Sequence, residues 1–233
     1  MSFLQVPSWN IEHLSGASRE DKKQSAYALA DHIELAGVDI IALQEVYVIH
    51  EEGGVRRNEE LDRVCELLEE HLSDPWHYEI LPNSNAGDKS QLCTVMWNGA
   101  RVEKTGMMAL DVDHRDGDDW LWDRKPHAVK FSIRIAVWRK DADGNWHRQE
   151  EGRSLSVIPL HMKSNYGGST KNRRVRAKEA ETLCAQLDRV RNELDPSLIL
   201  IGDTNVLEAT EPAIETFVDN GLVDLNNNDS ATY

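Results

Sequence analysis

Ser197 to Asn205 reads Ser-Leu-Ile-Leu-Ile-Gly-Asp-Thr-Asn, a short apolar run that stops abruptly in a glycine, a carboxylate and an amide. A leucine and β-branched run of this length, bounded by Pro196 and Gly202, reads as a strand buried on both faces. Such a strand has no structural use for an acid at its tip, so Asp203 marks a place for chemistry. Asp203 and Asn205 are two apart, and in an extended chain they point to the same side. The run therefore calls for a covered sheet with a polar rim at one end.

Val38 to Glu45 repeats the pattern, an apolar strand ending in Gln44-Glu45, after a helical stretch from about Glu20 to Ala36 that Gly37 closes. Helical periodicity returns over Asn58 to Leu72, where Leu61, Val64, Cys65, Leu68 and Leu72 share a face and Pro75 follows as a stop. Strands are expected at Trp76 to Leu81, Leu92 to Trp97 and Ala128 to Trp138. Asp141 to Asn145 reads as a hairpin turn into Ser154 to Leu160, which delivers His161, Lys163 and Asn165. Thr170 is the expected N-cap of a helix running to about Leu194, and a short helix spans about Glu211 to Asn220. Strands alternating with helices, together with a hairpin and helix-free strands, predict an α+β fold of two face-to-face sheets with helices outside.

Some features exclude functions. Asp111 to Asp119 superficially suggests a calcium loop, but Gly117 falls one position late for an EF-hand and Trp122 stands where the terminal acid belongs. The stretch reads as a solvated acidic loop. Cys65, Cys93 and Cys184 lie far apart without a Cys-x-x-Cys pair, so buried free thiols are expected and neither a disulfide framework nor a cysteine zinc site. The apolar patch Phe3 to Val6 is too short for a signal peptide, and no segment could span a membrane; a cytoplasmic protein is the expectation. A formal charge of -15 argues against broad adhesion to nucleic acid, though not against an enzyme that uses a divalent cation and a local basic patch. The basic run Lys171 to Lys178 reads as a solvated helix face, with tracking of a nucleic-acid backbone as the alternative, and His13 as a solvent-facing loop residue, with lining of the cleft as the alternative.

Four strand ends thus supply polar groups: Trp9-Asn10, Gln44-Glu45, His161 with Lys163 and Asn165, and Asp203 with Asn205. Acids, amides and an imidazole together suit a hard cation and a phosphate. In these pieces the sequence resembles the endonuclease/exonuclease/phosphatase superfamily, which contains deoxyribonuclease I. The matching segments are Trp9-Asn10-Ile11-Glu12, Asp39 to Val46, Arg124-Lys125-Pro126, Pro159 to Ser164 and Ile201 to Asn205, in the family's order. The resemblance implies a single domain over residues 1–233, a four-layer α/β/β/α sandwich with the site at the strand ends. It implies Glu45 as principal Mg²⁺ ligand (Mn²⁺ as an alternative) with Asn10 beside it, and Asp203 holding the attacking water or a second metal. Asn205 would bind phosphoryl oxygens, His161 would contact the phosphate or protonate the leaving oxygen, and Arg124, Lys163 and Asn165 would add phosphate contacts.

The family continues past a Thr-Tyr segment like Thr232-Tyr233 into an Arg-Ile-Asp-Tyr type strand and a Ser-Asp-His motif, and neither stands in this sequence. The chain is therefore expected to be C-terminally incomplete, with its final strands and the general-base histidine missing; an inactive natural truncation and another histidine as base are the alternatives. The implied activity is that of a metal-dependent phosphoric ester hydrolase, nuclease-like and monomeric, acting on a phosphodiester such as DNA or RNA. A sphingomyelinase-like or sugar/inositol-phosphate phosphatase, acting on a phospholipid or phosphorylated small molecule, is the runner-up. Loops set substrate choice in such folds, here Asn83 to Ser90 and Asp111 to Trp122.

Overall fold

The structure, a computed structural model, describes residues 4–14, 24–83 and 91–225. Phe3, the Glu20 to Lys23 start of the first expected helix, residues 84–90 of the first substrate loop and Thr232-Tyr233 lie outside the described residues. In chain order the elements are β1 (Ser8–Leu14), α1 (Ala26–Leu35), β2 (Ile40–Val46), β3 (His50–Glu52), β4 (Val55–Arg57), α2 (Glu59–Leu72), β5 (Trp76–Ile80), β6 (Leu92–Asn98), β7 (Val102–Ala109), β8 (Arg115–Asp116), β9 (Asp119–Trp120), β10 (His127–Lys140), β11 (Trp146–His161), α3 (Ser169–Cys184), α4 (Leu187–Glu193), β12 (Leu198–Asp203) and α5 (Pro212–Asp219).

Two four-stranded sheets, ordered β1-β2-β6-β5 and β12-β11-β10-β7, pack face to face. Between them lie Ile40, Val95, Trp97, Val129, Phe131 and Val157, with Trp97 and Phe131 edge to face at 5.6 Å. All seven side chains of β6 are buried, as a central strand with both faces covered requires. β7 alternates buried with more exposed positions, the signature of one covered face. The outer face of the first sheet is covered by α1 and α2 through Leu29, Ile33, Leu61, Val64 and Leu68. On the second sheet α3, α4 and α5 do the same through Val175, Leu183, Leu187 and Phe217. The layers are α/β/β/α, as the resemblance implies.

Helix ends follow their local chemistry. Gly37, at φ +61°, closes α1 by donating its N–H to the Glu34 carbonyl while Val38 donates to Ile33, the pattern of a left-handed C-terminal cap. Asn58 caps α2: its Oδ1 accepts from Glu60 N at 3.0 Å and Leu61 N at 3.3 Å. The same side chain donates from Nδ2 to the Leu14 and Tyr47 carbonyls at 3.1 and 2.9 Å, tying α2 to the ends of β1 and β2.

Two expectations are corrected and two are narrowed. The helix assigned from Thr170 to Leu194 begins at Ser169 after Gly168 and breaks at Ala185-Gln186 into α3 and α4. Among the described residues β12 is the edge of its sheet, and its side chains are half-buried where burial on both faces was expected. The acidic loop is solvated as expected at Asp111, Asp113, Asp116 and Asp118, but Asp119 at its end is buried and takes ion pairs from Lys171 and Arg174. The basic run is a solvated face at Lys171, Arg173, Arg174 and Lys178, whereas Arg176 within it is fully buried. The three cysteines are free, Cys93 and Cys184 buried and Cys65 half-buried. Among the described residues no helix is long and apolar enough to cross a membrane.

Candidate active site

The strand ends of both sheets meet at one rim. In the first sheet β1 and β2 run parallel with Asn10 opposite Gln44, and their register shifts between Asn10 and Leu14. β2 also slips against β6 between Leu43 and Val46. Glu45 sits in that irregularity at φ +66°, and Glu12 and His13 across from it are also left-handed. A bulge re-aims a side chain that regular alternation would commit elsewhere. Here it turns Glu45 toward the second sheet while Gln44 stays buried against Ser8 Oγ at 3.0 Å.

In the second sheet β11 and β12 run parallel and bring His161 and Asp203 into register, with Met162 N donating to the Asp203 carbonyl. Gly202 precedes them at φ +150° opposite Leu160. A Cβ there would lie 2.7 Å from Leu160 N and 2.8 Å from Leu160 C, closer still to the carbonyl oxygen. Only glycine permits this approach, which explains why the residue before the acid has no side chain.

The two sheets converge on one amide. Asn10 Nδ2 donates to Glu45 Oε1 at 3.2 Å and to Asp203 Oδ2 at 2.9 Å. His161 Nε2 faces the same two carboxylate oxygens, 3.9 Å from each. Burial, helped by Arg124, holds the His161 imidazole down at about 4 against the pull of Asp203 and Glu45, so it is neutral at neutral pH. Its Nδ1 is buried without a partner among the described residues, which leaves Nε2, facing the carboxylates, as the nitrogen that can make a hydrogen bond.

Glu45 Oε2 accepts from His13 N at 3.2 Å and from Gln91 Nε2 at 2.8 Å. Gln91 in turn lies 2.7 Å from His13 Nδ1 and accepts at Oε1 from Arg124 Nη2 at 2.6 Å. The loop histidine expected to face solvent thus lines the site, and Arg124 reaches Glu45 through Gln91. Among the described residues neither carboxylate has a lysine or arginine partner. There is also no cluster of three or more His, Cys, Asp or Glu set as a metal cage among them. Two carboxylates beside neutral donors fit magnesium, which takes one or two protein carboxylates and keeps several waters. Asn10 turns Nδ2 to both acids, while its Oδ1 accepts from Glu12 N at 3.1 Å.

Asn205 reaches the site by a different route from strand alternation. It is left-handed at φ +54°, and its N–H folds back onto Asp203 Oδ1 at 2.8 Å, a side-chain turn that fixes the carboxylate. Its Nδ2 donates to the Met162 carbonyl at 3.0 Å. Asn165 Nδ2 donates to the Asn205 carbonyl at 2.8 Å, and Asn165 Oδ1 accepts from Arg176 at 3.0 Å. Lys163 Nζ is held by Asp123 Oδ2 at 3.0 Å. The structure brings together Asn10, Glu45, His161 and Asp203, which the sequence reading placed at one rim; Gln91, Arg176 and Glu179, which that reading did not assign to the site, carry no sequence signal that separates them from surface polar residues.

No protein-family model matches the sequence, and no curated protein matches it. Solved structures do match. An endonuclease/exonuclease/phosphatase family protein from Bacteroides thetaiotaomicron superposes with a TM-score of 0.57 at 15% identity, over 94% of this chain and 67% of that one. The fold is that of the endonuclease/exonuclease/phosphatase proteins. ANGEL2, a 2',3'-cyclic phosphatase solved with adenosine-2',3'-vanadate, shares this fold at a TM-score of 0.55 and 17% identity, over 93% of this chain and 57% of that one. The B. thetaiotaomicron mannosyl-6-phosphatase Bt3783 gives 0.54 and 16%, over 94% and 71%. In the endonuclease/exonuclease/phosphatase fold of this chain, the converging carboxylates lie at the shared rim of both sheets.

Proposed function

We propose that this chain is a metal-dependent phosphoesterase, nuclease-like in cleaving a phosphodiester by water attack. The observation that carries the reading is the meeting of Glu45 and Asp203 from opposite sheets on Asn10, with a neutral His161 facing both. Glu45 and Asp203 would hold Mg²⁺ or Mn²⁺, which neutralises charge developing on a phosphoryl oxygen. Asn10 keeps the two acids at a fixed separation, and the Asn205 N–H fixes the plane of the Asp203 carboxylate. Asp203 Oδ2 then orients water. His161 Nε2 donates to a phosphoryl oxygen, its neutrality maintained by burial. Arg124 and Lys163, each paired to a neighbouring side chain, stand at the rim as phosphate contacts. The fold's relatives acting on a cyclic phosphate and a sugar phosphate agree with phosphoester chemistry.

A second reading, a phosphatase for a sugar phosphate or another small phosphorylated molecule, is favoured by one observation. The basic helix that could track a nucleic-acid backbone is spent on acids: Lys171 and Arg174 on Asp119, Arg173 on Glu208, Arg176 on Glu211, Lys178 on Glu181. Hydrolysis of bis(p-nitrophenyl) phosphate, plasmid DNA, sphingomyelin and mannose 6-phosphate, with Mg²⁺ and with EDTA, tests both. Metal-dependent turnover of any of these supports the phosphoesterase, the preferred substrate separates the readings, and inertness toward all of them refutes both.

A further inference from the structure

Four polar side chains on α3, Asn172, Arg176, Glu179 and Thr182, point into the protein and are buried, and two of them are charged types. Buried charge costs several kcal/mol unless its bonding capacity is met. The partners that meet it here are the peptide groups of two segments bordering the active site. Glu179 Oε1 accepts from Trp122 N at 2.8 Å, and Oε2 accepts from Lys163 N at 3.0 Å. Arg176, one turn earlier, donates from Nη1 to the Lys163 carbonyl and to Asn165 Oδ1, each at 3.0 Å. Its Nε and Nη2 close on Glu211 Oε2 at 3.1 and 2.8 Å. Lys163 is thus held at its N–H by one α3 charge and at its carbonyl by the other.

From there the chain of bonds reaches the acids. Asn165 passes to the Asn205 carbonyl, and the Asn205 N–H fixes Asp203. On the other side Trp122 is followed by Asp123, which holds Lys163 Nζ, and by Arg124, which holds Gln91 against Glu45. We propose that Glu179 and Arg176 are positioning residues: they clasp the Met162 to Asn165 segment and the Trp122 to Arg124 turn together, and so set His161, Asn205 and Arg124 around the two carboxylates. The catalytic consequence rests on the phosphoesterase reading, whereas the clasp itself is a statement about two backbone amides.

A packing role alone would be served by apolar side chains at both positions. An ionised carboxylate accepting one amide on each oxygen does something they cannot, because it couples two segments that share no backbone pairing. Burial pushes Glu179 up to about 7, over the opposing effect of its two amide bonds. The charged groups around it are Asp123 and Lys163 from the clasped segments, and Arg176 of its own helix, itself paired with Glu211 before α5. A protonated oxygen loses its charge and becomes a much weaker acceptor for the amide it faces. The clasp therefore loosens at one of its two amides as pH falls through about 7.

Amide NMR of the full chain tests this. In the wild type the Trp122 and Lys163 N–H resonances titrate together with a midpoint near 7. In Glu179→Gln neither titrates, and hydrogen-exchange protection falls about tenfold or more at the one amide left facing Nε2, the worth of a hydrogen bond to a charged group, while α2 amides are unchanged. On bis(p-nitrophenyl) phosphate, kcat falls in Glu179→Gln and Arg176→Lys while KM stays. Should Glu179→Gln not fold, Glu179→Asp keeps the charge one methylene short and is expected to protect only one of the two amides. Protection retained at both amides in either variant overturns the clasp, and so does lost protection with wild-type kcat. An inactive wild type overturns the phosphoesterase reading instead and leaves the amides to decide the clasp.

Discussion

Gly202→Ala is the substitution whose cost follows most directly from the backbone. An added Cβ would meet Leu160 N at 2.7 Å and Leu160 C at 2.8 Å, and still less to its carbonyl oxygen, against an ordinary contact of 3.4–4 Å. These are backbone atoms of the registered neighbour, so no side chain can turn aside, and β11 must part from β12. Overpacking of this kind costs ~1–3 kcal/mol and the positive φ a further ~1–3 kcal/mol, together about 4 kcal/mol. With an m-value of ~2 kcal/mol/M, the urea midpoint falls by ~2 M. Gly144→Ala is the control. It shares a positive φ of +86° but meets nothing within 4 Å, so it pays only backbone strain of ~1 kcal/mol. Because His161 and Asp203 form the next pair along the same ladder, Gly202→Ala also loses turnover under conditions where it remains folded. Equal urea midpoints for the two variants would refute the steric argument.

Asn58→Ala removes the α2 cap and two carbonyl tethers at once, and urea unfolding should show a loss of about 2–3 kcal/mol. Arg176→Met leaves the buried Glu211 carboxylate with only Arg173 and the Leu207 N–H and costs about 3 kcal/mol; adding Glu211→Leu recovers part of it, because the under-compensated charge is gone. Two groups titrate with opposite sign. Glu179 rises from 4.5 to about 7 on folding, so its contribution is full below 4.5 and is lost as pH rises through about 7. His161 falls from 6.5 to about 4, so its contribution is full above 6.5 and is lost as pH falls through about 4. In metal-free protein these slopes offset one another over the shared window. Glu179→Gln unmasks the histidine, and its stability relative to wild type should drop by up to about 3 kcal/mol on acidification from above 7 to below 4.5. Urea midpoints measured along a pH series check this.

What was legible in the sequence was whatever rested on periodicity and punctuation. The run Leu198 to Asp203 and the run Ile40 to Val46 are strands, and Gly37 and the Asp141 to Asn145 turn act where their chemistry placed them. The meeting of Asn10, Glu45, His161 and Asp203 followed from strand ends sharing a rim. What was hidden depended on distant partners. β7 was missed because Val102 to Ala109 carries lysine, threonine and glycine in a strand with one covered face. Asp119 could not be told from the exposed acids before it until folding set it beneath Lys171 and Arg174. Arg176 and Glu179 could not be told from surface charges on α3, since periodicity weights apolar positions and their burial is licensed by backbone groups of other segments. Glu45 and Asn205 reach the site through a bulge and a left-handed turn, neither of which alternation predicts.

The central claim is that Glu45 and Asp203, joined by Asn10, form a cation site that serves phosphoester hydrolysis. Titration of Mn²⁺ into the wild type, Glu45→Ala and Asp203→Ala, followed by electron paramagnetic resonance of free Mn²⁺ and paired with bis(p-nitrophenyl) phosphate hydrolysis on the same samples, tests it most directly. The account predicts one bound ion and turnover in the wild type, with both lost in each variant. Binding and turnover unchanged by both substitutions, or a wild type that takes up no ion, would contradict it.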